Sequence, residues 1–208
     1  MITHRHPTAP IPPNLGRIRR TLAGTQPPDR RPEGTQAAVA LVLAGEAADL
    51  NVCLIRRAEH ELDRWSGHVA LPGGRIDAVD RSARAAAIRE TLEEVGLRLD
   101  RSPYLGSLEV QPVRAGGKPT DMSLSSFVFH LGETLEQFTP SDEVAEAFWV
   151  PLRHLLDPRN AAYRPTPRGG MTLDSPAVLY QGHYIWGLTY RLLTLFFERL
   201  ELRIARPQ

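Results

Sequence analysis

The sequence predicts an α/β protein in which a mixed sheet lies between helices. Two apolar runs come first, an alanine-rich segment with helical spacing follows, and further strand-like runs precede a last helical segment. Strands, a helix, more strands and a last helix are typical of one layered domain. With 208 residues, 42% of them hydrophobic, the chain is long enough to bury one core.

The composition restricts the partners and the compartment. A formal net charge of +1 gives no reason to expect nucleic acid or an anionic membrane as a partner. Cys53 is the single cysteine, so no intrachain disulfide can form and a reducing compartment is suitable. The sequence has no run of 18 apolar residues and no secretory signal core. We therefore expect a cytoplasmic protein that acts on a small molecule, and a homodimer is compatible with the sequence.

Residues 1–36 differ in composition from the rest of the chain. They contain seven prolines and six arginines against two acids, which predicts a mostly extended or mobile arm ahead of a domain at residues 37–204. Within this arm, residues 14–22 predict a short basic helix that is capped by Asn14 and carries Leu15, Ile18 and Leu22 on one side. We expect the arm to pack loosely on the domain.

The domain begins with strands. Residues 37–45 and 51–57 are apolar runs separated by a short polar turn, and both predict buried strands. Residues 68–71 are long enough only for a short strand, which should end at Pro72 because proline cannot donate a hydrogen bond within a sheet. The glycines after Pro72 predict a loop.

An alanine-rich helix should follow the glycines. Ser82 is a good N-cap, and Gly96 stands where a left-handed glycine would end the helix. Ile88, Leu92 and Val95 are spaced by four and three residues, so we expect them to form the buried stripe. The glutamates of this helix should lie on a different side.

The remaining segments should complete the sheet and its helical cover. In order, they predict a strand at 104–110, a turn-rich hairpin connection at 114–120, strands at 123–131 and 145–150, and a short helix at 151–156. Residues 160–176 predict a loop. Residues 184–204 have apolar side chains at helical spacing and predict a long, buried terminal helix.

Acidic residues are concentrated near the end of the alanine-rich helix. Glu90, Glu93 and Glu94 stand at positions i, i+3 and i+4, so their carboxylates can converge beside the helix. They repel one another and the negative end of the helix dipole, which calls for a compensating cation. Hard divalent cations, above all Mg²⁺, bind oxygen ligands and usually bring phosphate groups with them. Arg89 could fix one carboxylate or contact a phosphate.

The glycine pair upstream suits the same chemistry. Gly73 and Gly74 allow the backbone to approach an anion or a metal closely. These parts together suit metal-assisted hydrolysis of a phosphoanhydride, in which a carboxylate takes the proton from the attacking water. Pairs of glutamates on helices are more often a solvated surface, but the fixed spacing of the whole string favours the metal site.

This string resembles the Nudix box, in which a glycine, five residues, a glutamate and seven residues precede Arg-Glu, Glu-Glu and Gly at set positions. Gly74 opens the string, and the residues that match in order are Arg89, Glu90, Glu93, Glu94, Gly96 and Leu97. There are three departures: Asp80 replaces the early glutamate, one extra residue precedes Arg89, and Thr91 occupies a usually apolar position.

The resemblance implies the Nudix α/β/α sandwich. It also implies cleavage of a nucleoside diphosphate linked to another group, with Mg²⁺ or Mn²⁺ as cofactor. Glu90 and Glu94 would be the principal metal ligands, with Glu93 assisting and Arg89 orienting the glutamates. A non-catalytic nucleotide sensor on the same fold is the alternative, although the complete glutamate cluster favours an enzyme.

Within that family, the chain is most similar to the coenzyme A pyrophosphatase branch. The segments that carry this similarity are Leu71-Pro72-Gly73-Gly74 with Asp77 and Asp80, and Ile185-Trp186-Gly187-Leu188-Thr189. An upstream signature of the branch is only partly kept, as Arg57-Ala58 and Gly67. The branch implies coenzyme A or a derivative as the substrate, giving a phosphopantetheine-type product and adenosine 3′,5′-bisphosphate. The alternative substrates are ADP-ribose, NADH or another nucleotide.

Several residues outside the box are candidates for supporting roles. Glu143 is a candidate general base or an additional carboxylate near the metal, and a solvated acid at a strand end is its alternative interpretation. Lys118 and Arg114 could contact the phosphates of the substrate. The candidates for stacking on adenine are Tyr180, His183 and Trp186.

Overall fold

The computed structural model describes residues 10–25, 36–61, 65–115, 118–168 and 171–207, which form two sheets and four α-helices. The helices are α1 (Leu15–Leu22), α2 (Ala83–Val95), α3 (Leu152–Leu156) and α4 (Gly187–Arg199). The strands are β1 (Gln36–Ala44), β2 (Asn51–Arg57), β3 (Val69–Ala70), β4 (Gly73–Arg75), β5 (Tyr104–Ser107), β6 (Gln111–Ala115), β7 (Lys118–His130), β8 (Val144–Pro151), β9 (Ala161–Arg168), β10 (Met171–Tyr180) and β11 (His183–Trp186). No helix in these ranges is long and apolar enough to cross a membrane.

The larger sheet is mixed, as the sequence predicts. Its central order is β3-β2-β1-β7-β5, with β4 paired to β1, β6 to β7 and β8 to β2. β1 and β7 run parallel over eight residue pairs, and the other pairings of this sheet are antiparallel. β1 and β2 pair with each other only at one end. At the other end β1 pairs with β4 and β2 pairs with β3, so the glycine pair of β4 lies beside β1 in the middle of the sheet.

Helices cover both faces of this sheet, which confirms the α/β/α arrangement. Along β1, Val39 and Leu41 face a core shared with α1, α3 and α4. The alternate residues Ala40 and Val42 face a second core shared with α2. Because β1 is buried on both faces, it is a continuous apolar run without polar alternation.

Helix α1 belongs to the main core. Asn14 accepts a hydrogen bond from the backbone N–H of Arg17 at 2.8 Å, which confirms the predicted cap. Leu15, Ile18 and Leu22 are buried in the core that also contains α4. The expectation of loose packing is therefore wrong for this segment, because all three apolar side chains are inserted. The rest of the predicted arm, at residues 1–9 and 26–35, lies outside the described residues.

Residues 160–176 are not the loop that the sequence predicts. Most of them belong to β9 and β10, which form an antiparallel hairpin from Ala161↔Val178 to Met171↔Arg168. This strand pattern was obscured by prolines, which usually mark loops. Strand β9 lies at the edge of the three-stranded sheet β11-β10-β9, where Pro165 and Pro167 are tolerated.

The terminal helix is shorter than predicted. His183–Trp186 pairs with β10 as strand β11, and the helix runs only from Gly187 to Arg199. Gly187 has φ +61°, so the turn from strand into helix uses a conformation that favours glycine. Within the helix, Leu192 and Phe196 are buried.

We predict that Ile18→Ala lowers the free energy of unfolding by about 2–5 kcal/mol, because it leaves a cavity in a fully buried site. Urea unfolding measures the change. Arg20→Ala, at an exposed position of the same helix, is the matched control and should change stability by no more than about 0.5 kcal/mol. Equal effects of the two substitutions would contradict the docking of α1.

Candidate active site

The helix that carries the glutamates begins and ends where the sequence predicts. Ser82 Oγ accepts a hydrogen bond from the N–H of Ala85 at 3.1 Å, and Gly96 takes the left-handed conformation with φ 76°. The N–H of Gly96 donates to the carbonyl of Leu92 at 3.0 Å. These caps define the register of α2 and therefore the direction of each glutamate.

The buried side of α2 differs from the predicted stripe. Leu92 is 40% exposed, whereas Glu94 is only 4% exposed. The residues that are buried are Ala86, Ala87, Thr91, Glu94 and Val95. Small alanine side chains let α2 lie close to β1 and β4, and this close approach brings Glu94 inward. Of the predicted stripe, Val95 is correct and Ile88 is half-buried.

Thr91 fits the buried side although the sequence position is usually apolar. Its hydroxyl donates to the carbonyl of Ala87 at 2.7 Å, so the polar atom is satisfied without a partner outside the helix.

The glycine pair forms strand β4 and is not a loop. Val39 pairs with Gly73, and Ala38 pairs with Gly74. A Cβ atom on Gly73 would lie 2.2 Å from the carbonyl oxygen of Ala38, and one on Gly74 would lie 2.5 Å from the carboxyl carbon of Glu90. Gly73 therefore requires glycine, because its φ is +145° and the backbone of β1 lies against it, whereas a side chain at Gly74 would displace the carboxylate of Glu90.

Glu94 is held by the same strand. The N–H of Gly73 donates to Glu94 Oε2 at 2.7 Å. Burial raises the pKa of Glu94 to about 7, and the negative charges of Glu90 and Glu143 act in the same direction. The hydrogen bond from Gly73 and the positive charge of Arg57 oppose this rise. A buried carboxylate with two acidic neighbours is a favourable position for a cation.

Arg89 connects the acidic side chains. Its guanidinium donates to both carboxylate oxygens of Asp80, at 3.1 and 2.9 Å, and its Nη1 donates to Glu90 at 3.0 Å and to Glu93 at 2.8 Å. The hydrogen bonds to Asp80 are the main reason why the pKa of Arg89 lies well above its ordinary value. Arg89 is therefore a permanently charged clamp on this helix face.

Asp80 explains the two departures near the start of the box. Its side chain is 4% exposed, and it also accepts a hydrogen bond from the N–H of Asp77 at 2.8 Å. Aspartate is one carbon shorter than glutamate, and the extra residue before Arg89 lengthens the loop that carries it. The carboxylate thereby still reaches the guanidinium.

The three glutamates do not converge on one point as expected. Glu93 turns toward Arg89 and keeps 56% of its side chain exposed, whereas Glu94 is held by Gly73. Within the described residues, no three His, Cys, Asp or Glu side chains form a group that could hold a metal as they stand. Glu90 and Glu94 nevertheless supply oxygen donors, and burial raises the pKa of both. This donor set fits a hard divalent cation.

Glu143 lies close to the helix glutamates. The segment before it is tied to the end of α2, because Thr139 N–H donates to Val95 at 2.9 Å and Ser141 N–H donates to Glu94 at 3.0 Å, both to backbone carbonyls. The charge of exposed Glu143 raises the pKa of both Glu90 and Glu94.

Arg57 is a charged neighbour to which sequence reasoning assigned no role. It ends β2, and its backbone N–H donates to the carbonyl of His68 at 3.0 Å. Its positive charge lowers the pKa of Glu94. Its place in the partly kept upstream signature was the signal that could have identified it.

The other predicted side chains lie elsewhere. Lys118 is exposed at the start of β7, opposite Ala115 across the hairpin. Tyr180 and His183 both stack on Phe148, with ring centroids 5.9 and 5.2 Å away. Trp186 is covered on one face by Arg164, whose guanidinium carbon lies 3.9 Å from the ring centroid.

Comparisons with known proteins agree with this geometry. The family model described as NUDIX domain matches residues 34–168. The mitochondrial coenzyme A diphosphatase NUDT8 of Mus musculus is 34% identical over 175 residues, which cover 79% of this chain and 81% of the mouse protein. An uncharacterized protein of Schizosaccharomyces pombe is 43% identical over 110 residues, which cover 51% of this chain and only 33% of the yeast protein.

A solved structure shares the fold. The MutT/nudix family protein from Enterococcus faecalis superposes with a TM-score of 0.51 at 19% identity, covering 85% of this chain and 65% of that protein.

We predict that the metal-free protein loses stability as the pH rises from 4.5 to 7. The pKa of Glu94 is raised from an ordinary value of 4.5 to about 7, so the folded state binds more protons than the unfolded chain across this window. The shift corresponds to at most about 3 kcal/mol. Thermal unfolding after treatment with a chelator, compared at the two ends of the window, measures it.

Glu94→Gln is the control for this prediction. The variant lacks the ionisable group, so its stability should vary less with pH than that of the natural protein. Mg²⁺ added at the upper end of the window should raise the melting temperature of the natural protein more than that of the variant. Identical pH profiles would show that Glu94 has an ordinary pKa.

Proposed function

Because this chain belongs to the Nudix hydrolase family, we propose that it hydrolyses the pyrophosphate bond of a nucleoside diphosphate derivative, with coenzyme A or one of its derivatives as the substrate. One observation carries the proposal. Buried Glu94, held by the N–H of Gly73, lies within the electrostatic reach of Glu90 and Glu143. Such an arrangement of acids needs a cation to be stable in its charged form.

Nudix hydrolases generally use divalent metal ions, and for this chain we propose Mg²⁺ or Mn²⁺. Glu90 and Glu94 would hold the ion, and Glu93 would assist after leaving Arg89. When bound, the ion neutralises charge on the bridging phosphates. Arg89 would orient Glu90 through the hydrogen bond from Nη1, and the bond from the same atom holds Glu93 until it turns to the ion.

We propose the remaining roles as follows. Glu143 accepts the proton of the attacking water, since it is an exposed acid beside the buried pair. Gly73 and Gly74 keep space beside the carboxylates, because any side chain there would collide with β1 or Glu90. Lys118 remains the sequence-based candidate for a contact with phosphate oxygens of the substrate.

Two findings support coenzyme A. The mouse relative, whose name describes a coenzyme A diphosphatase, aligns with 79% of this chain. The segment Leu71-Pro72-Gly73-Gly74 and the segment from Ile185 to Thr189 both resemble that branch. The products would be a phosphopantetheine-type compound and adenosine 3′,5′-bisphosphate. The alternatives are hydrolysis of ADP-ribose or NADH, and a nucleotide sensor without catalysis.

We predict that, with Mg²⁺, the protein converts coenzyme A to adenosine 3′,5′-bisphosphate faster than it cleaves ADP-ribose or NADH. Chromatography of the products measures all three reactions. Glu94→Gln should lower kcat at least about 100-fold, because it removes a charged ligand while keeping the shape of the side chain. An active Glu94→Gln variant would contradict the metal site, and a preference for ADP-ribose or NADH would contradict the substrate.

We predict that Glu143→Gln lowers kcat by about 10²- to 10⁴-fold with little change in KM, since a general base acts only in the chemical step. Asp142→Asn is the matched control, because Asp142 is the exposed neighbour in the same turn. Full activity of Glu143→Gln across the pH range would assign the base to another residue.

A further inference from the structure

A half-buried arginine of the three-stranded sheet lies on an aromatic ring. The guanidinium carbon of Arg164, on β9, is 3.9 Å from the ring centroid of Trp186, the last residue of β11. His68 meets the same ring edge-on, with centroids 4.8 Å apart. When a guanidinium stacks on a ring, its N–H groups still lie in the plane of the guanidinium and point outward, so they can donate to a ligand.

Arg164 has no acidic partner among the residues that the structure describes. Its side chain makes one hydrogen bond, to the Thr166 hydroxyl at 3.5 Å. The neighbouring basic side chains differ, because Arg56 and His183 both contact Glu146, at 3.7 and 3.1 Å. A fixed, half-buried guanidinium without a carboxylate is a favourable place for an anion.

The start of α4 adds positive potential at the same place. Trp186 is the N-cap residue of this 13-residue helix, and no side chain caps its first N–H groups. The positive end of the helix dipole therefore lies beside the stacked arginine. Thr189 Oγ1 donates to the carbonyl of Val69 at 2.8 Å, which fixes this helix end against β3.

His68 links this cluster to the catalytic carboxylates. Its carbonyl, one residue before β3, accepts the backbone N–H of Arg57 at 3.0 Å, so the two residues are direct neighbours. The charge of Arg57 in turn reaches Glu94. The stacked arginine is therefore linked to the carboxylates through Trp186, His68 and Arg57, and the proposal takes the substrate to follow this path.

We propose that Arg164, stacked on Trp186, binds a phosphomonoester that the substrate carries outside its scissile diphosphate. The inference rests on the proposed function and deepens it. The chemical class is a nucleoside diphosphate derivative with an additional phosphate on the nucleoside. A substrate of the same size without that phosphate leaves the guanidinium unpaired and is cleaved less efficiently.

Two matched ligand pairs test the subsite. The kcat/KM of coenzyme A is compared with that of 3′-dephospho-coenzyme A, with Mg²⁺ present. Calorimetric binding of adenosine 3′,5′-bisphosphate is compared with that of AMP, without metal. Each measurement uses the natural protein, Arg164→Gln and Arg164→Lys. Arg101→Gln is the control, because the side chain of Arg101 is 96% exposed.

The phosphorylated member of each pair should be preferred about tenfold or more, the value of one charge-assisted contact. Arg164→Gln should remove this preference by acting on the phosphorylated member alone, Arg164→Lys should keep part of it, and Arg101→Gln should keep all of it. Equal loss for both members, or an unchanged preference, would overturn the subsite.

Failure of the proposed function gives a different result. If the natural protein cleaves neither coenzyme A compound, the proposed substrate is wrong and the binding pair alone decides on the subsite. Tighter binding of the bisphosphate that Arg164→Gln abolishes would support the subsite, and equal binding of bisphosphate and AMP would overturn it.

Discussion

The close contact between α2 and strand β4 is the constraint on which the site depends. Gly73 and Gly74 have no side chains, so β4 can lie against β1 on one side and against the Glu90 carboxylate on the other. The same contact brings the N–H of Gly73 to Glu94 at 2.7 Å. Small residues on α2, such as Ala86 and Ala87, make the approach possible from the helix side. A buried carboxylate is the consequence of this packing.

Buried carboxylates would destabilise the fold if no positive charge compensated them. Arg89 supplies part of this positive charge. The guanidinium of Arg89 contacts Asp80, Glu90 and Glu93. Asp80 reaches it although aspartate is shorter than glutamate. Glu94 is outside this network and has a raised pKa. Arg89 therefore neutralises the carboxylates in its network but not the buried Glu94. A divalent cation would be most stabilising beside Glu94.

The second sheet packs against the first at β3. Strands β9, β10 and β11 place Arg164 on Trp186 and bring Trp186 to His68, which pairs with the end of β2. The proposed phosphate contact lies on the second sheet, whereas the carboxylates proposed for catalysis lie on α2 against the first sheet. Substrate choice and chemistry can then vary separately, because the residues that govern each do not share a structural element.

The sequence alone determined the mixed sheet between helices, the caps of α2 at Ser82 and Gly96, and the acidic cluster with Arg89. Periodicity and motif spacing are local properties, so they are readable from neighbouring residues. Tertiary structure decided which side of α2 is buried. β1 and β4 lie close to the side that carries Ala87 and Glu94, and Leu92 stays exposed. It also decided that residues 161–180 pair as a hairpin despite their prolines, and that Arg164 meets Trp186. Those contacts join residues distant in sequence, and no local pattern specifies them.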